Sequence, residues 1–83
     1  MKYSQETYRQ MFDQLLSEEL LYGATAASPT QILVAMKIVL GRAIRQGLIK
    51  KYTNLSLQDN FDITFVIIEG DGDVVGLHLV YGE

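Results

Sequence analysis

The stretch FDITFVIIEGDGDVVGLHLVY, residues 61–81, carries the clearest fold signal in the chain. Two runs rich in β-branched and aromatic residues, 61–68 and 74–81, flank the acidic, glycine-containing segment 69–73. Apolar residues recur at every second position, the period of a β-strand, and Asp-Gly favours a hairpin turn. The stretch therefore predicts a β-hairpin whose core face carries Phe61, Ile63, Phe65, Ile67, Val75, Leu77, Leu79 and Tyr81.

A helical pattern opens the chain. Between residues 5 and 22, apolar side chains recur at spacings of three and four, and Ser4 can cap the first turn. Glu19 conflicts with this pattern because it falls near the middle of the apolar stripe. Either the helix distorts near Ser17, which is the favoured interpretation, or Glu19 meets Arg42 or Arg45 at a subunit or partner contact.

A second helix is predicted from Pro29 to about Lys51. Ser28 followed by Pro29 and Gln31 forms a capping box with proline at the first helical position. Gly41 falls inside this helix, as does Gly47, and each weakens a helix by about 1 kcal/mol relative to Ala or marks the close approach of another backbone. Residues 24–27 are a short connection, and the segment 53–60 is predicted to be a loop or a short helical turn.

These elements make an α+β domain of two antiparallel helices followed by a carboxy-terminal β-hairpin, in the order ααββ. With 83 residues, 48 % of them hydrophobic, the chain is long enough for one domain, residues 1–83, and too short for two. It contains no cysteine, so neither a disulfide framework nor a thiolate zinc site is expected. Without a secretory signal or a 20-residue apolar run, we expect a cytoplasmic protein with no membrane partner.

The chain has more apolar surface than one copy is expected to bury. In the predicted second helix, Val34, Ile38, Ile49 and Tyr52 cluster opposite the main stripe, and the hairpin is apolar on both faces. We therefore expect a homodimer, formed through the hairpin edges as a larger sheet, through the second face of helix 2, or through both. The alternative is a monomer in which helix 2 lies between helix 1 and the hairpin.

Charge is unevenly distributed along the chain. Residues 20–58 contain five basic and no acidic residues, whereas residues 59–83 contain six acidic and no basic ones, and the net charge is −3. A solvated surface explains most such runs, but complementary charge can also orient a partner protein. A phosphate-binding surface is the third interpretation, disfavoured because the whole chain is acidic. It would use Lys37, Arg42, Arg45, Lys50 and Lys51.

Catalytic and metal-binding patterns are weak. His78 is the only histidine and lies within a predicted strand, where a structural role is the common one. Glu69, Asp71 and Asp73 alternate with glycines as in a cation-binding loop, but a hairpin turn explains them without an ion. We therefore predict no enzyme activity, no metal and no cofactor.

The function predicted from these features is non-catalytic protein–protein interaction. A short chain without chemistry suits a small stoichiometric inhibitor, of a phage-encoded or anti-defence type, that acts by occluding its partner. The alternative is a regulatory or nucleic-acid accessory protein that uses the basic face of helix 2. The predicted partner-binding residues are Val34, Ile38, Arg42, Arg45, Ile49 and Tyr52.

Overall fold

A computed structural model describes residues 2–23 and 28–80 of the chain. Two helices are followed by three strands, which form one antiparallel sheet in the order β1-β2-β3. The α+β class and the hairpin are confirmed, and β1 is an additional strand. The predicted connection 24–27 and Tyr81 lie outside the described residues. The elements are α1 (Gln5–Gly23), α2 (Pro29–Arg45), β1 (Lys51–Leu57), β2 (Ile63–Ile68) and β3 (Val74–Leu79).

Both helices begin at the predicted caps. The Thr7 backbone N–H donates to the Ser4 hydroxyl over 3.1 Å at the start of α1. At α2 the Gln31 backbone N–H donates to the Ser28 hydroxyl, and the Ser28 N–H donates back to the Gln31 side chain. Both sets of bonds satisfy backbone donors that a helix amino terminus leaves without an intrahelical acceptor.

The core lies between the two helices and one face of the sheet. Helix α1 packs against β3, and α2 packs against β1. The rings of Phe12 and Phe65 meet edge to face, 5.4 Å apart, where α1 crosses the centre of the sheet. All of the fully or nearly fully buried strand residues come from the predicted core face of the hairpin: Ile63, Phe65, Ile67, Val75, Leu77 and Leu79.

Helix α2 ends at Arg45, so the prediction that it continues to Lys51 is wrong. Gly47 adopts a left-handed conformation with φ of +75°. Its N–H donates to the Ile44 carbonyl and the Leu48 N–H donates to the Ala43 carbonyl, which is the Schellman pattern of a helix end. Gly47 therefore terminates the helix and turns the chain toward the sheet.

Residues 51–57 form a strand, although helix 2 was predicted to reach about Lys51 and the segment 53–60 to be a loop or a short helical turn. Strand β1 pairs with β2 from Lys51 opposite Ile68 to Leu57 opposite Ile63. Asn54, with φ of +59°, lies in a bulge between Thr53 and Ser56. The extra residue shifts the alternation of apolar and polar side chains, so the period of two is lost in the sequence.

The turn between β2 and β3 is built as predicted, with Gly72 at φ of +94° and the Glu69 N–H donating to the Asp73 carbonyl. Because both helices cover the same face of the sheet, the opposite face has no covering element among the described residues. Within those residues, neither helix has the length and apolar content needed to cross a membrane.

Candidate protein-binding face of helix α2

One side of α2 carries an uncovered line of residues, which we call the α2 outer face: Val34, Ile38, Gly41 and Arg45. Their spacing of four, three and four residues places them within an arc of about 60° on an ideal helix. Val34 is 51 % exposed and Ile38 is 39 % exposed. The opposite side of α2 is buried in the core, so these apolar side chains are left over after the domain has packed.

A groove of about 230 Å³ lies beside the α2 outer face, between α1 and α2. Its lining is largely apolar. Two of the residues of the α2 outer face, Val34 and Ile38, form one of its walls. The remaining lining residues are Glu19, Leu20, Thr30, Gln31 and Ala35.

Glu19 is the charged group of this groove, and Arg42 of the same chain neutralises it. An Arg42 Nη1 atom donates to Glu19 Oε2 over 2.8 Å, and the Glu19 side chain is only 18 % exposed. Helix α1 continues without interruption through Ser17, so the favoured interpretation of a helix distortion is wrong. The cation contact weighed as the alternative does occur, but it lies within one chain.

Contacts within the described part of the chain give no steric reason for a glycine at position 41. A Cβ atom added there would meet only one Arg45 Nη1 atom, at an ordinary contact distance of 3.6 Å. Gly41 does not adopt a positive φ either. Since glycine in the middle of a helix costs about 1 kcal/mol relative to Ala, packing within the chain does not account for it.

Two of the predicted partner-binding residues do not lie on α2 at all, and their assignment to helix 2 is wrong. Ile49 follows the end of α2 and is 2 % exposed, as part of the core. Tyr52 lies on β1, half-buried against the core. The cause is the early end of α2 at Gly47, because both positions were placed by extending a regular helix. The other four, Val34, Ile38, Arg42 and Arg45, lie on α2.

The five cations of residues 20–58 do not form one basic helix surface. Lys50 lies beyond α2 and pairs with Asp71 over 3.0 Å, and Lys51 lies on β1. Lys37, Arg42 and Arg45 remain on α2, which contains no acidic residue. The outer surface of α2 is therefore both apolar and positively charged.

The uncovered face of the sheet is different in character. Val74 is 59 % exposed there, but polar pairs interrupt the apolar residues. The Ser56 and Thr64 hydroxyls form a hydrogen bond of 2.7 Å across β1 and β2. His78 Nε2 lies 2.8 Å from an oxygen of the buried Asp62 carboxylate, which gives the histidine a structural partner.

Both edges of the sheet are modified in ways that discourage strand addition. The bulge at Asn54 breaks the regular pairing of β1. At the other edge, the Gln5 side chain donates to the Gly76 carbonyl of β3 over 2.6 Å. Such features are common protections of sheet edges against pairing with another strand.

The acidic turn does not gather its carboxylates. Glu69 accepts a hydrogen bond from the Lys2 backbone N–H, whereas Asp71 pairs with Lys50. Among the described residues, no three histidine, aspartate or glutamate side chains form a group that could hold a metal ion.

A buried polar group that the sequence did not indicate, the Tyr8 hydroxyl, lies near Glu69. Burial, followed by the negative charge of Glu69, raises the pKa of Tyr8 from 10.0 to about 12. The Tyr8 hydroxyl is buried and makes no hydrogen bond among the described residues. Tyr8 and Glu69 are 61 positions apart, so only the fold brings them together.

Comparison with known proteins does not assign this chain to a family: no protein-family model matches it, and neither a curated protein nor a solved structure gave a match.

Proposed function

We propose that this protein is a non-catalytic interaction module that binds another protein through the α2 outer face and the adjacent groove. The observation that carries the proposal is the continuity of Val34 and Ile38, both exposed, with the apolar groove of about 230 Å³ beside them. Apolar side chains next to a concavity provide anchors that a partner can enclose, and such anchors supply most of the binding energy of an interface.

Charge supports the same surface. Lys37 and Arg45 are exposed on a helix without carboxylates, so a partner with acidic residues would be steered toward it. Arginine is also enriched at the centres of protein interfaces, where its stem packs and its guanidinium orients the partner. Within residues 2–23 and 28–80, no carboxylate forms an ion pair with Arg45 as Glu19 does with Arg42.

Occlusion is the mechanism that such a module would use. Binding would cover part of the partner's surface at a ratio of one to one, with no bond made or broken. A small stoichiometric inhibitor, of a phage-encoded or anti-defence type and acting inside the cell, fits this description and is the finer form of the proposal.

Nucleic-acid binding is the alternative function, and the arrangement of cations favours it less. Arg42 and Lys50 are already paired with carboxylates, and Lys51 lies outside α2. Salt separates the two functions, because binding to phosphates weakens steeply as salt rises whereas apolar association weakens little.

The test is capture of a partner from the source cell with the wild-type chain and two variants. The variant Val34→Asp/Ile38→Asp places two carboxylates on the α2 outer face, and Val74→Asp places one on an exposed residue of the sheet. We expect a stoichiometric protein partner to be retained by the wild type and by Val74→Asp, and lost by the double variant. Equal retention by all three, with native circular dichroism, contradicts the proposal.

A further inference from the structure

The α2 outer face is complementary to a second copy of itself. Val34 and Arg45 are equidistant from the midpoint between residues 39 and 40, and so are Ile38 and Gly41. If two α2 helices pair antiparallel about a twofold axis at that midpoint, each Ile38 lies opposite the Gly41 of the other copy. The large side chain of Ile38 then packs against Gly41, which has no side chain. This contact occurs twice, because a twofold interface repeats every contact.

The spacing of this face fits such a pair. Steps of four, three and four residues are those of the seam of a left-handed antiparallel helix pair, in which a side chain enters a hole on the facing helix. Among the described residues outside the helix's own backbone, only the flexible Arg45 side chain lies within 4 Å of a Cβ atom placed at Gly41. An Ile38 side chain from another copy therefore has a hole to enter.

Charge is compatible with the same arrangement. Antiparallel pairing brings each Arg45 to the level of the other copy's Val34, beside the groove that contains the carboxylate of Glu19. The two Arg45 residues are separated by 11 residues along the axis, about 16 Å, which exceeds the Debye length of about 8 Å at physiological salt. The same midpoint places Arg42 level with the exposed Lys37 of the other copy, and Arg42 enters the interface already paired with Glu19.

We infer that a second copy of this chain covers the α2 outer face. The two copies bind through an antiparallel pair of α2 helices, in which Ile38 of each copy packs against Gly41 of the other. The inference rests on the proposed function in that it uses the same surface. It adds that self-association and binding of another protein exclude each other. It also places the dimer interface on the helices and not at the sheet edges, which carry the bulge at Asn54 and the Gln5 contact.

Particle mass by sedimentation equilibrium, over a range of concentrations, tests the inference with a matched pair of glycine variants. Gly41→Leu fills the hole and is expected to leave a folded monomer, whereas wild type reaches twice the chain mass. Gly76→Leu is the control, since Gly76 lies on β3 and a Cβ there meets no described atom within 4 Å. It should reach the same mass as wild type.

Exchanging the large and small residues makes the test specific. Ile38→Ala/Gly41→Leu moves the large side chain to position 41 and the small one to position 38, so the complementarity returns and the dimer should re-form. A wild type that stays monomeric at all concentrations overturns the inference. So does a Gly41→Leu variant that still dimerises like wild type.

Disulfide trapping tests whether the two α2 helices are antiparallel. Because the chain contains no native cysteine, only the introduced cysteines can form a disulfide. A mixture of Val34→Cys and Arg45→Cys chains is expected to form a mixed disulfide, whereas neither variant alone should cross-link. In the antiparallel pair, like positions lie about 16 Å apart along the axis, and a disulfide requires Cα atoms within about 7 Å. Cross-linking of either variant with itself, and not with the other, overturns the antiparallel arrangement.

These outcomes separate the inference from the proposed function. If wild type is monomeric but Val34→Asp/Ile38→Asp loses a captured protein, the second copy is wrong and the binding face stands. If the glycine and disulfide tests succeed but that variant retains the captured protein, the dimer stands and the proposed function is wrong.

Discussion

The two helices pack on the same sheet but present different surfaces to the surroundings. Apart from the exposed Leu21, the outer side of α1 is polar, and its residues pair with one another at spacings of three and four, as Arg9 does with Glu6 and Gln14 does with Glu18. The outer side of α2 has no acidic residue and exposes Val34 and Ile38. A polar outer side, as in α1, is stable in contact with water. An apolar outer side, as in α2, is stabilised when another surface covers it.

The difference also shows that exposure alone does not identify a binding surface. Leu21 of α1 is 83 % exposed, more than Val34 or Ile38, and Val74 of the sheet is 59 % exposed. What distinguishes α2 is the alignment of apolar residues along one line, next to a groove and around Gly41. If this distinction is correct, substitutions on the α2 outer face should have different effects from matched substitutions in the core or on α1.

Ile38 belongs to the α2 outer face, whereas Ile49 belongs to the core. Ile49→Asp should lower the free energy of unfolding by about 4 kcal/mol or more, because an unpaired carboxylate would replace an apolar side chain in the core. Ile38→Asp should change it by less than about 1 kcal/mol in dilute, monomeric protein, since that side chain is exposed. Urea unfolding followed by circular dichroism measures both. Equal effects would mean that the two positions share one environment.

On the inner side of α1, Tyr8 gives the fold a pH dependence. The folded state raises the pKa of Tyr8 above its ordinary value of 10.0, to about 12, so the neutral phenol is favoured by folding. This contribution to the free energy of unfolding is complete below pH 10 and is lost as the pH rises from 10 to 12. The total loss is at most about 3 kcal/mol.

Tyr8→Phe should remove that loss. The free energy of unfolding, measured at pH 9 and pH 11.5, is expected to fall more in wild type than in the variant. Tyr3→Phe serves as the matched control because Tyr3 is 41 % exposed and should behave like wild type. The same fall in all three proteins would show that Tyr8 ionises as freely in the folded chain as in the unfolded one.

The glycine of the α2 outer face should reduce the stability of the single chain. Gly41→Ala is expected to raise the free energy of unfolding of the monomer by about 1 kcal/mol, because it improves helix propensity without a clash. Gln14→Ala on the polar side of α1 should change it by only a few tenths of a kcal/mol. Thermal unfolding at low concentration measures both, and a destabilised Gly41→Ala monomer would reveal a packing constraint at that site.

The smallest effect concerns the ion pair that joins the helices. Glu19→Gln should cost about 0.5–1 kcal/mol, since its carboxylate is partly shielded from water beside Arg42. Glu6→Gln breaks an exposed pair within α1 and should cost about 0.3 kcal/mol. Urea unfolding at low and high salt measures both costs. An equal loss at both positions would mean that the groove does not shield Glu19.

Local chemistry explains which parts of the fold could be predicted from the sequence. The capping box at Ser28 and the Asp-Gly turn each depend on a few neighbouring residues, and both are confirmed. The end of α2 was missed because Gly47 was interpreted as an interior helix residue. Strand β1 was missed because its bulge removes the alternation that identifies a strand. Both errors arose where one residue changes the period.

The candidate site was predicted in part for the same reason. Val34 and Ile38 follow from helical periodicity before Gly47, so their exposure could be expected. Ile49 and Tyr52 lie after it, and the assumed helix placed them wrongly. The Glu19–Arg42 ion pair and the electrostatic effect of Glu69 on Tyr8 join distant segments, so they depend on how the elements pack, which no local pattern encodes.

The most direct measurement of whether the α2 outer face is a contact surface is the rate at which a thiol reagent labels single-cysteine variants. Ile38→Cys on α2 is compared with Gln10→Cys on the polar side of α1, in dilute and in concentrated protein. We predict that concentration slows labelling at position 38 several-fold and leaves position 10 unchanged. Labelling at position 38 that stays as fast as at position 10, at high concentration and with a captured partner present, would contradict the account.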